Sequence, residues 1–370
     1  MKVLLCSPFS DAPNTIRGGI NTWGRYIITY YEQYGRNQVE LIPVSLDRTV
    51  FTEASTSILK RILNGIRDQS KQVKQALRLM KLKKPNVVHI CTSAGLGGIR
   101  DFILVHAAKK RGIKTVVHLH FGRIPMLAQQ RNWEWTLLSK VLRMCDVPVV
   151  MNKSSYKTLI DEGFKSTIYL PNPLGMSALE VIRNTEGKYE RKPRRLLYCG
   201  HVLKTKGVME LVEGCSRIPD IELRIVGKCL PDIKEKMQSI AKNATEDISW
   251  LNFVGEVTHE EVIREFFQAG MFVFPSYSEG FPNVILEAMA CGCPIVSSDV
   301  GAIPEMLNID GDACGICFKP HSVEEVFNAV TYLLDNEKLK QEFAAKAKVR
   351  VNETYSMPKV WKQMVDIWKR

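Results

Sequence analysis

Two doubly wound α/β domains in tandem are the fold class that the sequence predicts. The chain has 370 residues, which is more than one hydrophobic core usually holds. Short β-branched runs alternate with helical stretches in both halves, as in the βαβ units of a parallel sheet. The alternation is interrupted once, where PNPLG (171–175) is followed by the charged stretch 183–195. We therefore expect the connection between the domains at about 171–194.

The first half predicts five strands with helices between them. One helical stretch follows Gly19, and a second runs from about Ile58 to Met80. A parallel sheet of this kind needs a helix on each crossover between its strands. The predicted strands are MKVLLCSP (1–8), QVELIPVSL (38–46), NVVHICT (86–92), TVVHLH (115–120) and VPVVMN (147–152).

The second half predicts another series of the same kind. Helical stretches again separate short apolar runs, and a last helix, SMPKVWKQMVDIWKR, begins near Pro358. The two halves together predict two similar sheets rather than a short repeat. The predicted strands are RRLLYCG (194–200), IELRIVG (221–227), ISWLNFVG (248–255), MFVFPS (271–276) and CPIVSS (293–298).

Positive charge is concentrated in the first half of the chain. The net charge is +12, and residues 1–175 carry 26 Lys and Arg against 11 Asp and Glu, whereas residues 176–370 carry 25 against 28. The first half is thus +15 and the second −3. A charge asymmetry of this size indicates an anionic surface or partner for the first half.

Residues 58–84 predict a basic amphipathic helix. They contain nine Lys and Arg and a single acid, Asp68. Two interpretations stay open, and both can hold together: the apolar stripe packs on the sheet beside a solvated basic face, or the lysines contact an anionic membrane. The apolar residues expected on one face are Leu59, Ile62, Leu63, Ile66, Val73, Leu77 and Met80.

Composition excludes several classes of protein. The sequence has no apolar run as long as a membrane span and does not begin with a signal peptide, so we expect a cytoplasmic protein, peripheral on the inner face of the plasma membrane if the basic helix binds lipid. Nucleic acid is not an expected partner, since no helix-turn-helix, zinc-finger or RNA-recognition pattern is present.

The ten cysteines are scattered along the chain, which favours reduced, buried thiols over a disulfide framework. One spacing suggests a structural zinc site. We favour small buried residues at tight turns, because a C-x-C pair is a looser pattern than C-x-x-C. The four candidate ligands are Cys291, Cys293, Cys314 and Cys317.

The apolar run SEGFPNVILEAMACGCPIV (278–296) contains two glutamates, Glu279 and Glu287. A carboxylate is costly to bury without a partner. Asn283 is a good helix N-cap, and Gly280 suits the loop before that helix. Glu279 would then lie in the loop and Glu287 in the first turns of the helix. Two carboxylates at one helix mouth predict a ligand site.

Other polar residues follow predicted strands, where a doubly wound fold binds its ligands. Gly18 and Gly19 open the first helix, and glycine there lets a backbone approach a phosphate or sugar closely. Lys206 follows the first strand of the second half and suits a phosphate. His118 and His120 alternate on one strand face. Because a third metal ligand is not in view, we favour a single polar role for His120.

Together these segments resemble a known family, the retaining, nucleotide-sugar-dependent glycosyltransferases of family four, also called group 1 glycosyltransferases. SEGFPNVILEAMACGCPIVSSDVGAIPEML looks like their glutamate-x7-glutamate motif. The segments RGG, HLHFG, LPNPLG, YCGHVLKTKGV and FVGEV come in the family's order and approximate spacing. The resemblance covers nearly the whole chain.

The resemblance implies the GT-B fold, in which two Rossmann-like domains face a cleft and a C-terminal helix crosses back to the first domain. It implies an acceptor-binding domain at 1–172 with the helix 357–370, and a nucleotide-sugar-binding domain at 173–356. Trp361 and Trp368 would then pack on the first domain.

The resemblance also implies roles for single residues. Glu279 would be catalytic beside the donor sugar, and His120 would be catalytic and face that sugar from the first domain. Glu287 would accept hydrogen bonds from the ribose hydroxyls, as a carboxylate can accept two at once. Lys206 would neutralise the diphosphate, and FVGEV (253–257) would lie near the base. The other implied donor-binding residues are Gly18, Gly19, His201, Gly280, Phe281, Asn283 and Val284.

One departure from the family concerns the phosphate clamp. The family usually has an arginine at the position of His201, and histidine is a weaker, pH-dependent clamp. Lys204 or Arg17 could compensate. His201 could equally be an ordinary turn residue after a strand.

The expected chemistry is transfer with retained configuration and without a metal or other cofactor. No D-x-D motif follows a strand of the first half, so the charge of the leaving diphosphate would be met by Lys206, helix N-termini and glycine N–H groups. No second carboxylate is placed as a nucleophile for double displacement. The resemblance implies reaction on one face of the sugar.

The expected partners are a nucleotide-sugar donor and a cell-surface glycan or lipid-linked acceptor. The EGFPN form of the motif favours a uridine-diphosphate donor, by resemblance only. Three alternatives stay open: a nucleotide-sugar epimerase of the same fold, which the complete glutamate pair disfavours; a sugar phosphorylase, which the missing pyridoxal-lysine pattern disfavours; and a non-catalytic partner subunit, which only His201 supports.

Overall fold

The chain divides into two units. Unit 1 comprises residues 1–172 and 357–370, and unit 2 comprises residues 173–356. The structure is a computed structural model that describes residues 1–10, 18–47 and 58–370, with backbone only for 58–64. Arg17, and the side chains of Leu59, Ile62 and Leu63, therefore lie outside the described part of the chain.

Unit 1 is built on a parallel six-stranded sheet. Its strands are β1 (Lys2–Ser7), β2 (Glu40–Ser45), β3 (Val87–Thr92), β4 (Lys114–Leu119), β5 (Val147–Val150) and β6 (Ile168–Tyr169). The order across the sheet is β2-β1-β3-β4-β5-β6, and neighbouring strands are parallel. Its first six helices are α1 (Gly19–Tyr30, continued by a π-helical turn Tyr31–Gly35), α2 (Ile58–Lys83), α3 (Gly97–Lys109), α4 (Ile124–Gln130), α5 (Trp133–Met144) and α6 (Lys153–Asp161).

Unit 2 contains a second parallel six-stranded sheet and a small antiparallel hairpin. Its strands are β7 (Lys192–Cys199), β8 (Glu222–Val226), β9 (Leu251–Gly255), β10 (Ala269–Phe274), β11 (Ile295–Ser298), β12 (Asn308–Ile309), β13 (Asp312–Ala313) and β14 (Ile316–Phe318). The sheet order is β14-β11-β10-β7-β8-β9, and β12 pairs with β13.

The helices of unit 2 connect these strands. They are α7 (Met176–Thr185), α8 (Val208–Cys215), α9 (Pro231–Ala244), α10 (His259–Gln268), α11 (Asn283–Ala290), α12 (Ile303–Leu307), α13 (Val323–Leu334) and α14 (Glu337–Thr354), with a 3-10 turn at Lys204–Lys206. Both sheets are of the doubly wound type, so the predicted fold class is confirmed.

The cores explain why these segments form strands. β3 and β10 are buried along their whole length, which is the pattern of parallel strands covered on both faces. In unit 1 one core lies between the sheet and α2, α3 and α5. It contains Leu4 and Val117 from the sheet, Met80 from α2, Leu104 from α3 and Leu142 from α5.

The last helix, α15 (Met357–Lys369), packs in unit 1. Trp361 and Trp368 are both buried, and the Nε1 of Trp361 donates to Oε1 of Gln38 at 3.0 Å. Lys114 Nζ donates to the carbonyl of Ile367 at 2.8 Å. The prediction that the last helix returns to the first domain is therefore confirmed.

The sequence missed the shortest elements. β6, β12, β13 and β14 have only two or three residues each, too few to show a hydrophobic period. α7 lies inside the segment 171–194, which was predicted as a connection. The predicted inward stripe of α2 holds for Met80, which is buried, but is wrong for Ile66, which is 58% exposed. Among the described residues no helix is long and apolar enough to cross a bilayer.

Candidate functional site

The candidate site of unit 2 lies at the carboxyl ends of β7 and β10. These strands are neighbours, and the chain continues from β7 to β8 on one side and from β10 to β11 on the other. Doubly wound folds bind ligands at such a switch point. The two loops that meet there are 200–207, after β7, and 275–282, which leads into α11.

Two glycines let these loops approach closely. Gly207 has a φ of +67°, and a Cβ there would lie 2.1 Å from the carbonyl oxygen of Pro275. Gly301 has a φ of +60°, and its Cβ would lie 2.2 Å from the backbone oxygen of Glu279. Any larger residue at either position would force the loops apart. Gly207 therefore sets how closely the loop 200–207 approaches the loop 275–282, and Gly301 sets how closely the turn after β11 approaches Glu279.

Lys206 and Glu279, which the sequence predicted for one site, are in direct contact. Nζ of Lys206 donates to Oε1 of Glu279 at 2.6 Å, although the two residues are 73 positions apart. Their side chains are only 25% and 13% exposed. Each charge compensates the other, and removing one would leave the other partly buried without a partner. The pair thus provides an ammonium group beside a carboxylate at the switch point.

The helix after the second loop begins at Asn283. The prediction that Asn283 is the N-cap is wrong, because Pro282 takes that position in extended backbone and no side chain caps the helix. Asn283 and Val284 are instead the first two helical residues, whose N–H groups have no partner inside the helix. A helix N-terminus of this kind favours an anion.

Glu287 on α11 contacts His259, a residue that the sequence analysis did not single out. Nε2 of His259 lies 3.1 Å from Oε1 of Glu287. The hydrogen bond to Glu287 raises the pKa of His259, which burial alone would lower. His259 is the first residue of α10, and Thr258 and Glu261 form a capping box that fixes this helix start. The only hint in the sequence is that His259 follows FVGEV closely.

Tyr277 supports the loop that carries Glu279. Its hydroxyl donates to Oε1 of Glu210 on α8 at 2.5 Å, and its backbone N–H donates to the carbonyl of Thr205 at 3.1 Å. Its ring packs against His321 with centroids 3.7 Å apart. Burial and the bond to Glu210 raise the pKa of Tyr277, so the hydroxyl stays a donor at neutral pH.

Three other predicted donor-binding residues occupy different environments. His201 is exposed, and its carbonyl accepts a hydrogen bond from the Tyr198 hydroxyl at 2.8 Å. The carbonyl of Gly280 accepts from the N–H of Ala302 at 3.0 Å. Phe281 is 5% exposed and packs edge-on against Tyr355, so its side chain belongs to the core.

Gly18 and Gly19 lie in unit 1 at the start of α1. Gly18 is the N-cap residue in extended backbone, and Gly19 is the first helical residue. Both are exposed, and a Cβ at either would meet no described atom within 4 Å. Close packing within the described chain does not require glycine here.

Three histidines form a buried group in unit 1, here called the histidine layer: His89 on β3, and His118 and His120 at the end of β4. The rings of His118 and His120 have centroids 4.0 Å apart, and Trp23 of α1 packs against all three. Among the described residues, His89 Nε2 and both ring nitrogens of His118 and His120 have no hydrogen-bond partner.

Burial keeps the histidine layer neutral. It lowers the pKa of His89 and of His120 to about 3 and that of His118 well below 6.5, and neighbouring imidazoles add a smaller contribution at His118 and His120. At neutral pH His120 is therefore an uncharged imidazole that can donate one hydrogen bond and accept another.

The structure brings His89 and Cys91 next to His118, which supplies the third metal-capable group that the sequence did not show. His89, however, does not fit a metal. Trp368 Nε1 can only donate, and it donates to Nδ1 of His89 at 2.9 Å. Nε2 of a neutral His89 must then carry the proton and has no lone pair to offer. Ligand histidines show the reverse arrangement, with the second nitrogen as a donor.

The four cysteines considered as zinc ligands do not converge. Within the described ranges, the group of metal-capable side chains that meets is His89, Cys91 and His118. Cys314 Sγ instead contacts Arg350 and the carbonyl of Met306, and Cys293 Sγ faces the carbonyl of Ala269. Cys291, Cys293 and Cys314 are small buried thiols, as favoured above, whereas Cys317 is exposed.

Much of unit 2 is similar in sequence to a known protein family. Residues 180–350 match the family model described as "Glycosyl transferases group 1". This segment of the chain is similar to the group 1 glycosyltransferases. The match covers most of unit 2, including the Lys206–Glu279 pair and the His259–Glu287 contact.

Two proteins with similar sequences show how far the similarity extends along the chain. It is 29% identical over 202 residues to "MMP alpha-(1->4)-mannosyltransferase" of Mycolicibacterium hassiacum, covering 54% of this chain and 47% of that protein. It is 24% identical over 358 residues to "Capsular polysaccharide biosynthesis glycosyltransferase CapM" of Staphylococcus aureus, covering 91% and 86%. The chain thus spans about half the length of the first relative and most of the second.

The fold is also that of solved structures. Anabaena Alr3699/HepE, crystallised in complex with UDP, matches with a TM-score of 0.70 at 16% identity, covering 100% of both chains. This likeness shows the fold, and it confirms the predicted GT-B architecture.

Proposed function

We propose that the protein is a retaining, metal-independent glycosyltransferase that moves a sugar from a uridine-diphosphate donor to a surface glycan or a lipid-linked acceptor. The observation that carries the proposal is the contact between Lys206 and Glu279 at the switch point of unit 2, 2.6 Å long. A cation, a carboxylate and the N-terminus of α11 at one loop pair are the groups that a nucleotide sugar needs.

The Lys206 ammonium group would neutralise the diphosphate. In the absence of a ligand it is held by Glu279, so a diphosphate would share or replace that partner. The N–H groups of Asn283 and Val284 would add the field of the α11 N-terminus. Together they would stabilise the charge that develops on the leaving diphosphate.

Glu279 would meet the hydroxyls of the donor sugar, and Glu287 the ribose diol. A carboxylate can accept two hydrogen bonds from a diol. His259 would hold the carboxylate of Glu287, since its Nε2 lies 3.1 Å from Oε1. The side chain of Phe281 is part of the core, so it would affect donor binding only by holding the conformation of the loop.

Metal independence and retention are part of the proposal. The sequence supports the first because no D-x-D motif follows a strand of the first half, and the site supports it because Lys206 provides a positive charge at the loop. Retention is taken from the family resemblance, and the absence of a second carboxylate placed as a nucleophile in the motif favours reaction on one face of the sugar over double displacement. His120, as a neutral imidazole, would be a hydrogen-bonding group for the sugar rather than a charge.

The identity of the donor and acceptor rests on relatives and on the motif. HepE was crystallised with UDP, and CapM is named for capsular polysaccharide biosynthesis. The acceptor would bind unit 1, whose residues 1–175 carry the net charge of +15 counted above, which favours an anionic or lipid-linked glycan. A peripheral contact of 58–84 with an anionic membrane belongs to the same proposal.

The test is a thermal-shift panel with UDP, GDP, ADP and dTDP and their common sugar conjugates, with and without EDTA. A ligand that binds the folded state at a hundredfold excess over its Kd stabilises by about 2.7 kcal/mol. We expect UDP and a UDP-sugar to raise Tm equally with and without EDTA, and Glu287→Ala to abolish the shift. If GDP alone raised Tm, the proposed donor would be a guanosine-diphosphate sugar instead of a uridine-diphosphate sugar.

Product analysis decides between the alternatives. Proton NMR of the new linkage should show the anomeric configuration of the donor, and an inverted anomer would contradict the retaining mechanism. Conversion of the UDP-sugar to its epimer without an acceptor would favour the epimerase. If no nucleotide shifts Tm, the non-catalytic partner subunit is the better interpretation.

A further inference from the structure

Helix α3 presents an apolar stripe to solvent. Leu96, Ile99 and Ile103 follow one another at helical spacing at its start and on its outer face, and they are 63%, 51% and 41% exposed. The opposite face is in the core, with Leu104 and Val105 fully buried. α3 is thus apolar on both sides, which is unusual for a helix that covers a sheet. An apolar outer stripe indicates an interaction surface.

Helix α2, which packs beside α3, presents a stripe of the opposite character. Five of its exposed residues, spaced alternately four and three positions apart, are all positively charged, and α2 lies against α3. Gln72, Ala76 and Met80 point the other way and are buried. The exposed stripe is Arg67, Lys71, Lys74, Arg78 and Lys81.

Helix α5 packs on the other side of α3 and adds an aromatic residue and two further cations. Trp133 at its start is 60% exposed, and Lys140 and Arg143 are exposed on the same face. Tryptophan is typical of membrane interfaces, where its ring is apolar and its N–H is wet. The apolar stripe of α3 thus has basic residues on both sides.

The acids of these three helices do not neutralise the stripes. Asp101 is buried against Arg100, and Glu134 is paired with Arg123 and mostly buried. Asp68 is half-buried. The outer faces of α2, α3 and α5 therefore carry cations and apolar side chains without an exposed acid from these helices.

We propose that these faces form a single lipid-binding surface for an anionic bilayer. The lipid-binding surface consists of the α2 stripe, Leu96, Ile99 and Ile103 of α3, and Trp133, Lys140 and Arg143 of α5. The cations would contact anionic headgroups, and the apolar side chains of α3 and Trp133 would enter the interface between headgroups and acyl chains.

The apolar stripe selects a bilayer over another polyanion. Nucleic acid or an acidic glycan would use the cations but would gain nothing from three exposed aliphatic side chains in the middle of the surface. An anionic bilayer uses both, because it combines surface charge with an apolar interior. This inference deepens the membrane contact of the proposed function by placing it on three helices rather than on residues 58–84 alone.

The experiment is co-sedimentation with vesicles of phosphatidylcholine alone or mixed in equal parts with phosphatidylglycerol, at low and high salt. Three double variants are compared with the wild type. Lys71→Glu/Lys74→Glu reverses charge on α2, Ile99→Ser/Ile103→Ser removes the apolar stripe, and Lys236→Glu/Lys242→Glu is a matched charge reversal on exposed positions of α9 in unit 2.

We expect the wild type to bind the mixed vesicles and to be released by salt. The α2 reversal should weaken binding at least about tenfold, because each cation near an anionic surface contributes about 1 kcal/mol. The α3 variant should weaken binding about fivefold or more, from the apolar area withdrawn from the interface. The α9 control should bind like the wild type.

Three outcomes would overturn the inference. These are no binding of the wild type to the mixed vesicles, equal weakening by the α9 control, and unchanged binding of the α3 variant together with displacement by heparin, which would identify a soluble polyanion as the partner. Thermal melting of each variant shows that it is folded. UDP-induced shifts on the same samples separate this inference from the proposed function, since the donor site does not include these residues.

Discussion

The two units differ in how they accommodate polar side chains beside a parallel sheet. In unit 2 the polar groups are paired: Lys206 donates to Glu279, and His259 contacts Glu287. In unit 1 the histidine layer places three imidazoles together, and most of their ring nitrogens have no partner among the described residues. One sheet end is held by charge pairs and the other by buried neutral rings.

The surroundings of these histidines, rather than the residue type, set the direction in which their pKa values shift. Contact with a carboxylate raises the pKa of His259. Burial without a carboxylate lowers the pKa of His89 and His120 to about 3. Lowering the pH should therefore destabilise unit 1, and raising the pH should weaken the His259–Glu287 contact of unit 2. These opposite pH dependences make the comparison testable.

The largest expected effect is on catalysis, through the charge pair. Lys206→Ala and Glu279→Gln should each lower kcat/KM by about a hundredfold to a thousandfold, the usual cost of removing one group that stabilises charge in the transition state. Steady-state kinetics with the donor identified by the thermal-shift panel measures this. Glu186→Gln, which breaks the exposed Lys348–Glu186 ion pair of unit 2, is the matched control and should stay near wild type.

The histidine layer should make the protein sensitive to acid. Because the folded-state pKa values lie below the unfolded value of about 6.5, unfolding takes up protons, and stability is lost as the pH falls from about 6.5 toward 3. Each histidine contributes up to about 1.4 kcal/mol per pH unit. The free energy of unfolding, measured with urea at several pH values in this range, should fall with pH at a slope that corresponds to the uptake of up to three protons.

His118→Leu sharpens this test. This substitution should reduce the pH slope of the unfolding free energy by about one proton, while the leucine side chain still packs against Trp23. An unchanged slope would mean that the layer already takes up protons in the folded state, so that its burial is not what holds it neutral.

The capping box of α10 should have a moderate effect. Thr258→Ala removes the side-chain cap that fixes the start of this helix and should cost about 1 kcal/mol of folding free energy. If the helix start also positions His259, the UDP-induced thermal shift should fall together with stability. Ser322→Ala, which removes the cap of α13 in the same unit, is the control: it should lower stability by a similar amount and leave the UDP shift intact.

The smallest effect concerns the His259–Glu287 contact. The folded-state pKa of His259 is raised, so its contribution is complete below about pH 6.5 and is lost as the pH rises through the folded value. Tm of the wild type should fall relative to His259→Gln across that rise, by a small amount because the ring is 43% exposed. Parallel Tm curves for the two proteins from pH 6 to 9 would show that the contact carries no charge.

Much of the fold was predictable because its signals are local. The strands that became β1 to β5 and β7 to β11 are apolar β-branched runs, and parallel strands buried on both faces need such runs. Glu279 and Lys206 were predictable as neighbours because both follow strands, and a doubly wound sheet brings those strand ends together. The family resemblance added the roles that spacing alone does not provide.

The rest depends on distant contacts that no local pattern shows. His259 meets Glu287 across 28 positions, and its own segment offers no hint beyond the nearby FVGEV. The sequence showed His118 and His120 but not that His89 would join them or that Trp368, 279 positions away, would occupy its Nδ1. Ile66 was placed inward by periodicity, yet it is 58% exposed.

The most direct test of the central claim is calorimetric titration of UDP into the wild type, Lys206→Ala, Glu287→Gln and His118→Leu. The account places the nucleotide at the paired sheet end of unit 2. It predicts that the first two variants lose at least about tenfold in affinity, as expected for a hydrogen bond to a charged group, while His118→Leu binds UDP like the wild type. Unchanged binding by Lys206→Ala and Glu287→Gln, with loss in His118→Leu, would contradict it.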